Sequence, residues 1–258
     1  MAKVRLDKAL VERGLVPSRE RAASLILAGR VLVDEQKQTK AGFAMAEDAA
    51  IRILGEDMPY VSRGGLKLRG ALDHWKIDLA GRLCVDIGAS TGGFTDCMLQ
   101  AGAVAVLAVD TGYGQLAMSL RNDARVKLLE RTNARLLEPG ALLQEASSLA
   151  GDIVPNFFSM DVSFISASLV IAAVVAALTK PESKWVGECV VLVKPQFEAG
   201  REWVGKGGIV RDPEAYRIAT ERVKEAIRVA GGETVEVIDS PITGMEGNRE
   251  FLLYARFG

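Results

Sequence analysis

The sequence predicts an α/β fold, a mostly parallel sheet covered by helices on both faces, which follows a smaller α+β domain. Three observations lead to this prediction. From residue 82 onward, short apolar runs alternate with stretches of helical periodicity, the pattern of a parallel sheet buried on both sides. A glycine-rich turn at 88–93 joins the first apolar run to the first helix. The first 60 residues carry a separate pattern, two short helices followed by small strands.

The charge of the chain is unevenly distributed. Lys and Arg number 32 and Asp and Glu 33, so the whole chain is nearly neutral. Residues 1–30 nevertheless contain seven basic and three acidic residues, a net charge of +4, and the remaining residues sum to −5. A basic segment on an acidic body indicates a module that faces nucleic acid, although solvated helix faces also produce such clusters.

Composition disfavours several classes of site. The three cysteines, Cys84, Cys97 and Cys189, have neither metal nor disulfide spacing, so we expect no metal site and a reducing, cytoplasmic location. The longest apolar run, 164–178, is too short and too rich in serine and alanine to span a bilayer, and we expect a buried helix there. The single histidine, His74, makes histidine-based nucleophilic catalysis improbable, and we expect it in the core or on the surface.

The N-terminal segment reads as a compact domain at 1–60, joined by a linker at 61–65 to a second domain at 66–258. Leu6, Ala9 and Leu10 lie at helical spacing, and Gly14 ends that helix. Ser18 is a good N-cap for a second helix that Gly29 closes. Short strands are expected at 31–33 and 49–54.

Residues 5–33, RLDKALVERGLVPSRERAASLILAGRVLV, resemble the S4-type RNA-binding domain, named after a small-subunit ribosomal protein. That pattern usually continues into an Asn-Gly hairpin, whereas this chain has Asp34-Glu35 and so places an acid near the expected RNA face. The alternative is that the basic residues only solubilise helices. The resemblance implies that RNA is contacted by Arg5, Arg19, Arg21, Arg30 and Lys37.

The second domain alternates strands and helices along its length. The strands are expected at 82–86, 104–109, 126–130, 153–160, 187–193, 234–239 and 250–256. The helices are expected at 93–101, 114–121, 139–149, 164–178 and 213–230, after an entry helix that begins near Leu66. Asp86, Asp110 and Asp161 then fall at the carboxyl ends of strands, where ligands bind in open α/β sheets.

The stretch from Asp86 to Asp96, DIGASTGGFTD, decides between two kinds of ligand. A carboxylate at Asp86 would repel a pyrophosphate but would suit a cation. The motif D-x-G-x-x-x-G-G-F-[ST] resembles the first motif of the S-adenosylmethionine-dependent methyltransferases, and the alternative is an ordinary strand-to-helix turn. The resemblance implies S-adenosylmethionine as cofactor and a Rossmann-like class I methyltransferase domain. The implied cofactor-binding residues are Asp86, Gly88, Ser90, Thr91, Gly92, Gly93, Phe94, Thr95, Asp110 and Asn133.

Four ionisable residues occupy notable positions: Lys67, Asp161, Lys194 and Glu250. Lysine is rare at the end of an apolar strand because burial disfavours its charge, so Lys194 needs carboxylate partners or a neutral amine. Such an amine could help a ribose hydroxyl to lose its proton. The order Lys, Asp, Lys, Glu resembles the catalytic tetrad of the FtsJ-like ribose 2′-O-methyltransferases.

Each of these four residues also has an ordinary alternative. Asp161 could cap helix 164–178, Lys194 could be a surface lysine, and Lys67 could bind backbone phosphate. Glu246, four residues before Glu250, could complete the set instead.

The surroundings of these residues narrow the resemblance to one branch. The segments YVSRGGLKL (60–68), MDVSFIS (160–166), LVKPQFE (192–198) and GKGGIVRD (205–212) resemble the TlyA/haemolysin-A-type rRNA methyltransferases over nearly the whole chain. The resemblance implies an enzyme that 2′-O-methylates ribose, on cytidine, in ribosomal RNA. It implies ribosomal RNA or ribosomal subunits as partners and Lys206 on RNA phosphates. We also expect a free monomer with no membrane partner.

Two other functions stay open at this point. One is a non-catalytic RNA-binding factor for ribosome assembly, against which the complete tetrad argues. The other is a membrane-active haemolysin, which would need an exposed amphipathic or spanning segment that the sequence does not show.

Overall fold

The computed structural model describes residues 3–54, 58–244 and 246–258. The chain divides into two compact units, Met1–Asp57 and Met58–Gly258. Residues 55–57 of the predicted first domain lie outside the described residues. Residues 61–65 belong to the second unit.

The first unit contains two helices and two small sheets. Its elements are β1 (Lys3–Arg5), α1 (Leu6–Glu12), α2 (Arg19–Leu27), β2 (Val31–Val33), β3 (Gln36–Gln38), β4 (Ala44–Ala46) and β5 (Ile51–Ile53). Strands β1 and β4 pair with each other, and β2 lies between β3 and β5. Both predicted helices are confirmed, and Ser18 caps α2 by accepting a hydrogen bond from Arg21 N at 3.2 Å. The core includes Leu6, Leu10 and Ile26.

The β2–β3 hairpin turns without glycine. Asp34 and Glu35 both adopt left-handed φ values, 47° and 61°, the conformation of a type I′ turn that Asn-Gly usually supplies. Such backbone costs about 1–2 kcal/mol per non-glycine residue. Two contacts, one to β5 and one to the residue before it, offset this backbone cost. Asp34 Oδ1 accepts a hydrogen bond from Ala50 N at 2.9 Å, and Glu35 forms an ion pair with Arg52.

The second unit begins with a helix and continues with alternating strands and helices. Its elements are α3 (Gly64–Trp75), β6 (Leu83–Ile87), α4 (Gly93–Gln100), β7 (Ala105–Val109), α5 (Met118–Arg121), β8 (Val126–Leu129), α6 (Ala141–Ala150), β9 (Phe157–Met160), α7 (Ile171–Ala177), β10 (Gly187–Val193), α8 (Pro195–Glu198), α9 (Pro213–Val229), β11 (Gly232–Asp239) and β12 (Phe251–Phe257). The α/β class and all seven predicted strands are confirmed.

Three of the predicted spans were too long. The helix expected at 114–121 is reduced to α5, because the preceding loop turns at Gly114 with a φ of 71°. The run expected as one helix at 164–178 is a 3₁₀ turn at Ala167–Leu169 followed by α7. The strand expected from 153 begins at Phe157, after Pro155.

The strands form one seven-stranded sheet in the order β11-β12-β10-β9-β6-β7-β8. Only β12 runs against the others; it pairs antiparallel with both β10 and β11. The chain leaves β6 toward β7 on one side and returns to β9 on the other, so the strand order reverses between β6 and β9. Ligands of doubly wound sheets bind at such a reversal, outside the carboxyl ends of the strands. Gly88 and Asp161, the residues that follow β6 and β9, meet there.

Candidate active site

The glycine-rich loop between β6 and α4 is packed tightly on two sides. At Gly88, where φ is +84°, a Cβ atom would lie 2.5 Å from the carbonyl oxygen of Asp161. At Gly93 a Cβ atom would lie 2.3 Å from Ser62 Oγ and 2.8 Å from Gly65 N. Glycine is therefore needed at both positions, because only hydrogen fits there. The loop sits between the segments that carry Asp161 and Lys67.

Asp86 lies beneath this loop and is fully buried. Its Oδ2 accepts a hydrogen bond from Thr95 Oγ1 at 2.7 Å, and its Oδ1 accepts one from Ser159 Oγ at 3.1 Å. Burial raises the pKa of the Asp86 carboxyl to about 7. Through these hydrogen bonds Asp86 joins β6, β9 and α4. Because Asp86 and Thr95 are both buried, they can influence a bound molecule only through the shape and charge of the loop.

Asp110, which follows β7, organises the other half of the predicted cofactor site. Its Oδ2 accepts a hydrogen bond from Ser90 N at 2.8 Å and its Oδ1 one from Gly112 N at 2.6 Å. Its carbonyl oxygen accepts one from Thr132 N at 2.9 Å, which brings the segment of Asn133 alongside. Asn133 is exposed and caps the 3₁₀ turn Ala134–Leu136. The predicted residues on this rim are Ser90, Thr91, Asp110 and Asn133, whereas Gly92, Gly93 and Phe94 are buried behind it.

The four predicted ionisable residues form two ion pairs. Lys67 Nζ lies 2.6 Å from Glu250 Oε2, and Lys194 Nζ lies 2.6 Å from Asp161 Oδ1. The four side chains retain only 3–20% of their exposure. Sheet register explains their proximity. Val193 pairs with Phe251, so Lys194 and Glu250 leave adjacent strands at the same level, and Asp161 follows the next strand, β9.

The structure bears on three of the four alternatives that the sequence left open. Helix α7 is capped at Val170, so Asp161 pairs with Lys194 and does not cap that helix. Lys194 is buried and not a surface lysine. Glu250 faces Lys67, whereas Glu246 is exposed and lies beside Gly208. Apart from the paired ammonium groups, Asp161 Oδ1 and Glu250 Oε2 have no hydrogen-bond partner among the described residues.

Sequence reasoning assigned no role to two residues next to Asp161. Lys194 Nζ donates a hydrogen bond to Ser163 Oγ at 2.6 Å. Phe164 is 93% exposed, has a left-handed φ of 64° and packs against Phe197 with ring centroids 5.7 Å apart. Both lie in the MDVSFIS segment, but periodicity cannot reveal a bulky residue held in left-handed backbone.

A buried carboxylate anchors the segment that carries these residues. Glu198 accepts hydrogen bonds from Ser166 Oγ and Ala167 N, both at 2.5 Å. Burial raises the pKa of the Glu198 carboxyl. The loop after β9 is therefore tied to α8, the helix that begins directly after Lys194.

Lys206 lies exposed on the 3₁₀ turn Lys206–Gly208. The buried side chain of Asn248 holds this turn: it donates to Gly208 O and accepts from Val210 N, both at 2.9 Å. Asn248 is two residues before Glu250, so one loop supports the Lys206 turn and supplies the partner of Lys67. Sequence reasoning assigned no role to Asn248.

The basic residues predicted in the first unit form a different arrangement. Arg5 Nε and Arg19 Nη2 both donate to the buried Asp7, at 3.0 and 2.7 Å, yet their side chains stay 57% and 61% exposed. The two guanidinium groups hold the pKa of the Asp7 carboxyl well below its usual range. Arg30 Nε donates to Leu54 O at 2.8 Å. Lys37 is exposed and crosses Gly29, and Arg21 lies on the first turn of α2.

The described residues contain neither a candidate metal cluster nor a candidate membrane span. Within 3–54, 58–244 and 246–258, no group of three or more His, Cys, Asp or Glu residues could hold a metal ion. Over the same residues, none of the helices combines the length and the apolar character needed to cross a bilayer. The single histidine, His74, lies on the surface, which was one of its two predicted positions. Its Nε2 is 3.2 Å from Glu236 Oε2.

Comparison with family models assigns both units. The model of the FtsJ-like methyltransferases matches residues 60–257, and that of the S4 domain matches residues 4–48.

Individual relatives agree with these matches. The protein named "Putative rRNA methyltransferase YqxC" from Bacillus subtilis is 45% identical over 252 residues, which cover 98% of this chain and 85% of the relative. The 16S/23S rRNA (cytidine-2′-O)-methyltransferase TlyA from Mycobacterium tuberculosis is 42% identical, with 98% and 90% covered. A solved structure, "Putative hemolysin from Streptococcus thermophilus", has a TM-score of 0.71 and 39% identity, with 100% and 89% covered.

Proposed function

We propose that this chain, which belongs to the FtsJ-like methyltransferase family, methylates the 2′-hydroxyl of a ribose in ribosomal RNA, with cytidine as the modified nucleoside. It is an enzyme, and S-adenosylmethionine is its cofactor. We infer the acceptor from the two ion pairs at the strand ends, Lys67–Glu250 and Lys194–Asp161. The choice of ribosomal RNA and of cytidine rests on the likeness to TlyA.

The residues at the β6–β7 edge fit that cofactor. When bound, S-adenosylmethionine supplies an electrophilic methyl group on a positively charged sulfur. The glycine loop leaves no room for a Cβ at Gly88 or Gly93, and its backbone can approach a ligand closely. The carboxylates of Asp110 and Asp161 lie on either side of the loop and suit a cation, whereas Asp86 lies buried beneath the loop. Asp110 would take the ribose hydroxyls, and the Asn133 segment would lie near the adenine.

Lys194 is the residue placed to remove the proton from the acceptor hydroxyl. Its Nζ contacts Asp161 and Ser163. Ser163 directly precedes Phe164, whose ring is exposed. A general base needs a lone pair within hydrogen-bond reach of the proton it takes. Lys67, held by Glu250, would place a second positive group beside the oxygen as negative charge develops there.

Phe164 offers a surface for the base of the acceptor nucleotide. Aromatic side chains that contact single-stranded nucleic acid stack on bases, at about 1–3 kcal/mol per base. The ring is exposed, is supported from behind by Phe197 and lies three residues after Asp161. A stacked base would bring its own ribose toward Lys194.

The S4-type unit would hold the polymer that carries this nucleotide. The exposed guanidinium groups of Arg5 and Arg19 and the ammonium groups of Lys37 and Lys206 suit phosphate oxygens. Ribosomal RNA, alone or in ribosomal subunits, is the proposed partner. With a ribosomal substrate, we expect the enzyme in the cytoplasm and the free chain as a monomer.

Labelled-methyl transfer tests this function. The chain is incubated with labelled S-adenosylmethionine and either ribosomal subunits or naked rRNA, and the RNA is digested to nucleosides. We expect label in 2′-O-methylcytidine. Label in a methylated base would contradict the assignment of the acceptor. Cofactor binding and RNA binding without any transfer would favour the non-catalytic assembly factor.

A further inference from the structure

We propose that Ser163 is a positioning residue for Lys194, which fixes the direction in which the lysine amine presents its lone pair to the acceptor hydroxyl. This inference rests on the proposed function. It adds Ser163, which does not itself react, to the four predicted ionisable residues.

The argument begins with the groups around the nitrogen. Lys194 Nζ lies 2.6 Å from Asp161 Oδ1 and 2.6 Å from Ser163 Oγ, and the residue is buried. A neutral amine has two N–H bonds and one lone pair in roughly tetrahedral directions. When the Asp161 carboxylate and the Ser163 hydroxyl draw the two N–H bonds, the lone pair is left with the one direction that remains. With Asp161 alone, the amine could rotate about the Cε–Nζ bond and turn its lone pair away from the acceptor hydroxyl.

The Ser163 hydroxyl is itself held in place from both sides. Upstream, Asp161 N donates to Ile87 O at 2.8 Å, which fixes the start of the segment to β6. Downstream, the buried Glu198 binds Ser166 Oγ and Ala167 N. Between these anchors, Phe164 adopts the left-handed φ of 64°. A hydroxyl on so constrained a backbone needs little reorganisation to accept from Lys194, which is the condition for effective preorganisation.

The role of positioning differs from that of charge in one measurable way. If Ser163 only stabilised the ammonium form, its loss would move the pH at which activity rises and would leave the high-pH plateau intact. If Ser163 directs the lone pair, its loss lowers the rate of the high-pH plateau itself. Raising the pH then cannot restore the rate.

The experiment measures single-turnover methyl transfer into ribosomal subunits across pH for the wild type and for Ser163→Ala, Ser163→Thr and Ser183→Ala. We expect Ser163→Ala to lower the high-pH plateau about tenfold, the value of one well-formed hydrogen bond. The apparent KM values for cofactor and RNA should stay within about twofold of wild type. Threonine, which keeps the hydroxyl, should restore the plateau to within about threefold.

Ser183→Ala is the matched control, because it removes an exposed hydroxyl whose hydrogen bond goes to Lys180 O, in the segment before β10. We expect it to keep the wild-type plateau. A Ser163→Ala plateau equal to wild type, a loss that higher pH recovers, or an equal loss in Ser183→Ala would each overturn the inference. Lys194→Ala, measured in parallel, separates a failure of the proposed function from a failure of the positioning role. If it retains activity, the proposed function fails; if it is inactive while Ser163→Ala is normal, only the positioning role fails.

Discussion

Charged side chains are arranged in opposite ways in the two units. At the strand ends of the second unit, each lysine has one carboxylate partner and is largely removed from water. In the first unit, two arginines share the single carboxylate of Asp7, and their guanidinium groups remain more than half exposed. The first arrangement holds ammonium groups at set points, and the second presents surplus positive charge to solvent.

This difference predicts a hierarchy of mutational effects. A buried charge that loses its partner costs about 3–5 kcal/mol, whereas an exposed pair contributes about 0–1 kcal/mol. The strand-end pairs should therefore control chemistry and stability in large steps. The first unit should control RNA affinity in small steps that depend on salt.

The largest effect is expected at Lys194. Lys194→Ala removes the proposed base, so we expect the methyl-transfer rate to fall about 10²–10⁴-fold while cofactor binding persists. Lys224→Ala, a partly exposed lysine on α9, is the control and should keep wild-type activity. Single-turnover kinetics and calorimetric cofactor binding measure the two quantities. A Lys194→Ala rate within tenfold of the control would contradict the assignment of the base.

The next effect distinguishes two glutamates. Glu250→Ala leaves Lys67 buried without a partner, so we expect the free energy of unfolding to fall by about 3–5 kcal/mol, with loss of activity. Glu246→Ala, four residues earlier and exposed, should change stability by less than about 0.5 kcal/mol. Denaturant titration of both variants checks this. Equal losses of unfolding free energy in the two variants would contradict a stabilising role for the Lys67–Glu250 pair.

Asp86 is a buried carboxylate that accepts hydrogen bonds from the hydroxyls of Thr95 and Ser159, and it predicts a pH dependence of stability. Burial raises its pKa to about 7, so the folded state favours the protonated form. Its contribution to the free energy of unfolding is complete below about pH 4 and is lost as the pH rises to about 7, a change of a few kcal/mol. Asp86→Asn should remove this decline.

The control for that experiment is Asp152→Asn, which replaces an exposed carboxylate and should leave the pH profile unchanged. Urea denaturation between pH 4 and pH 8 measures the profiles. An Asp86→Asn profile that still declines like the wild type would show that other groups cause the loss.

The smallest effect is expected in the first unit. Arg5→Ala should weaken RNA binding only a few-fold and reduce the slope of log affinity against log salt by about one. Arg228→Ala, on an exposed arginine of α9, is the control and should leave the slope unchanged. Filter binding at several salt concentrations measures both. A large loss of affinity without a change of slope would argue for a base contact instead.

Much of the second unit could be predicted because the signals were local. Apolar runs located all seven strands, and the rule that ligands bind at strand ends brought Asp161, Lys194 and Glu250 to one edge. The family resemblance read from the motifs was confirmed. The cofactor and RNA residues named from those motifs stay predictions.

What could not be predicted depends on contacts between distant residues. The pairing of Lys67 with Glu250 rather than Glu246, which the sequence left open, depends on the register of β10 with β12. The left-handed backbone of Phe164 and the contact of Ser163 with Lys194 depend on how α8 packs, and the glycine-free turn at Asp34-Glu35 depends on Ala50 and Arg52. None of these leaves a periodic signal in the sequence.

The most direct test of the account is a map of 2′-O-methyl groups in ribosomal RNA from cells that carry either the wild-type chain or Lys194→Ala at equal abundance. The account predicts a methylated cytidine ribose with the wild type that is absent with the variant. The same methyl groups in both, or a loss confined to base methylation, would contradict it.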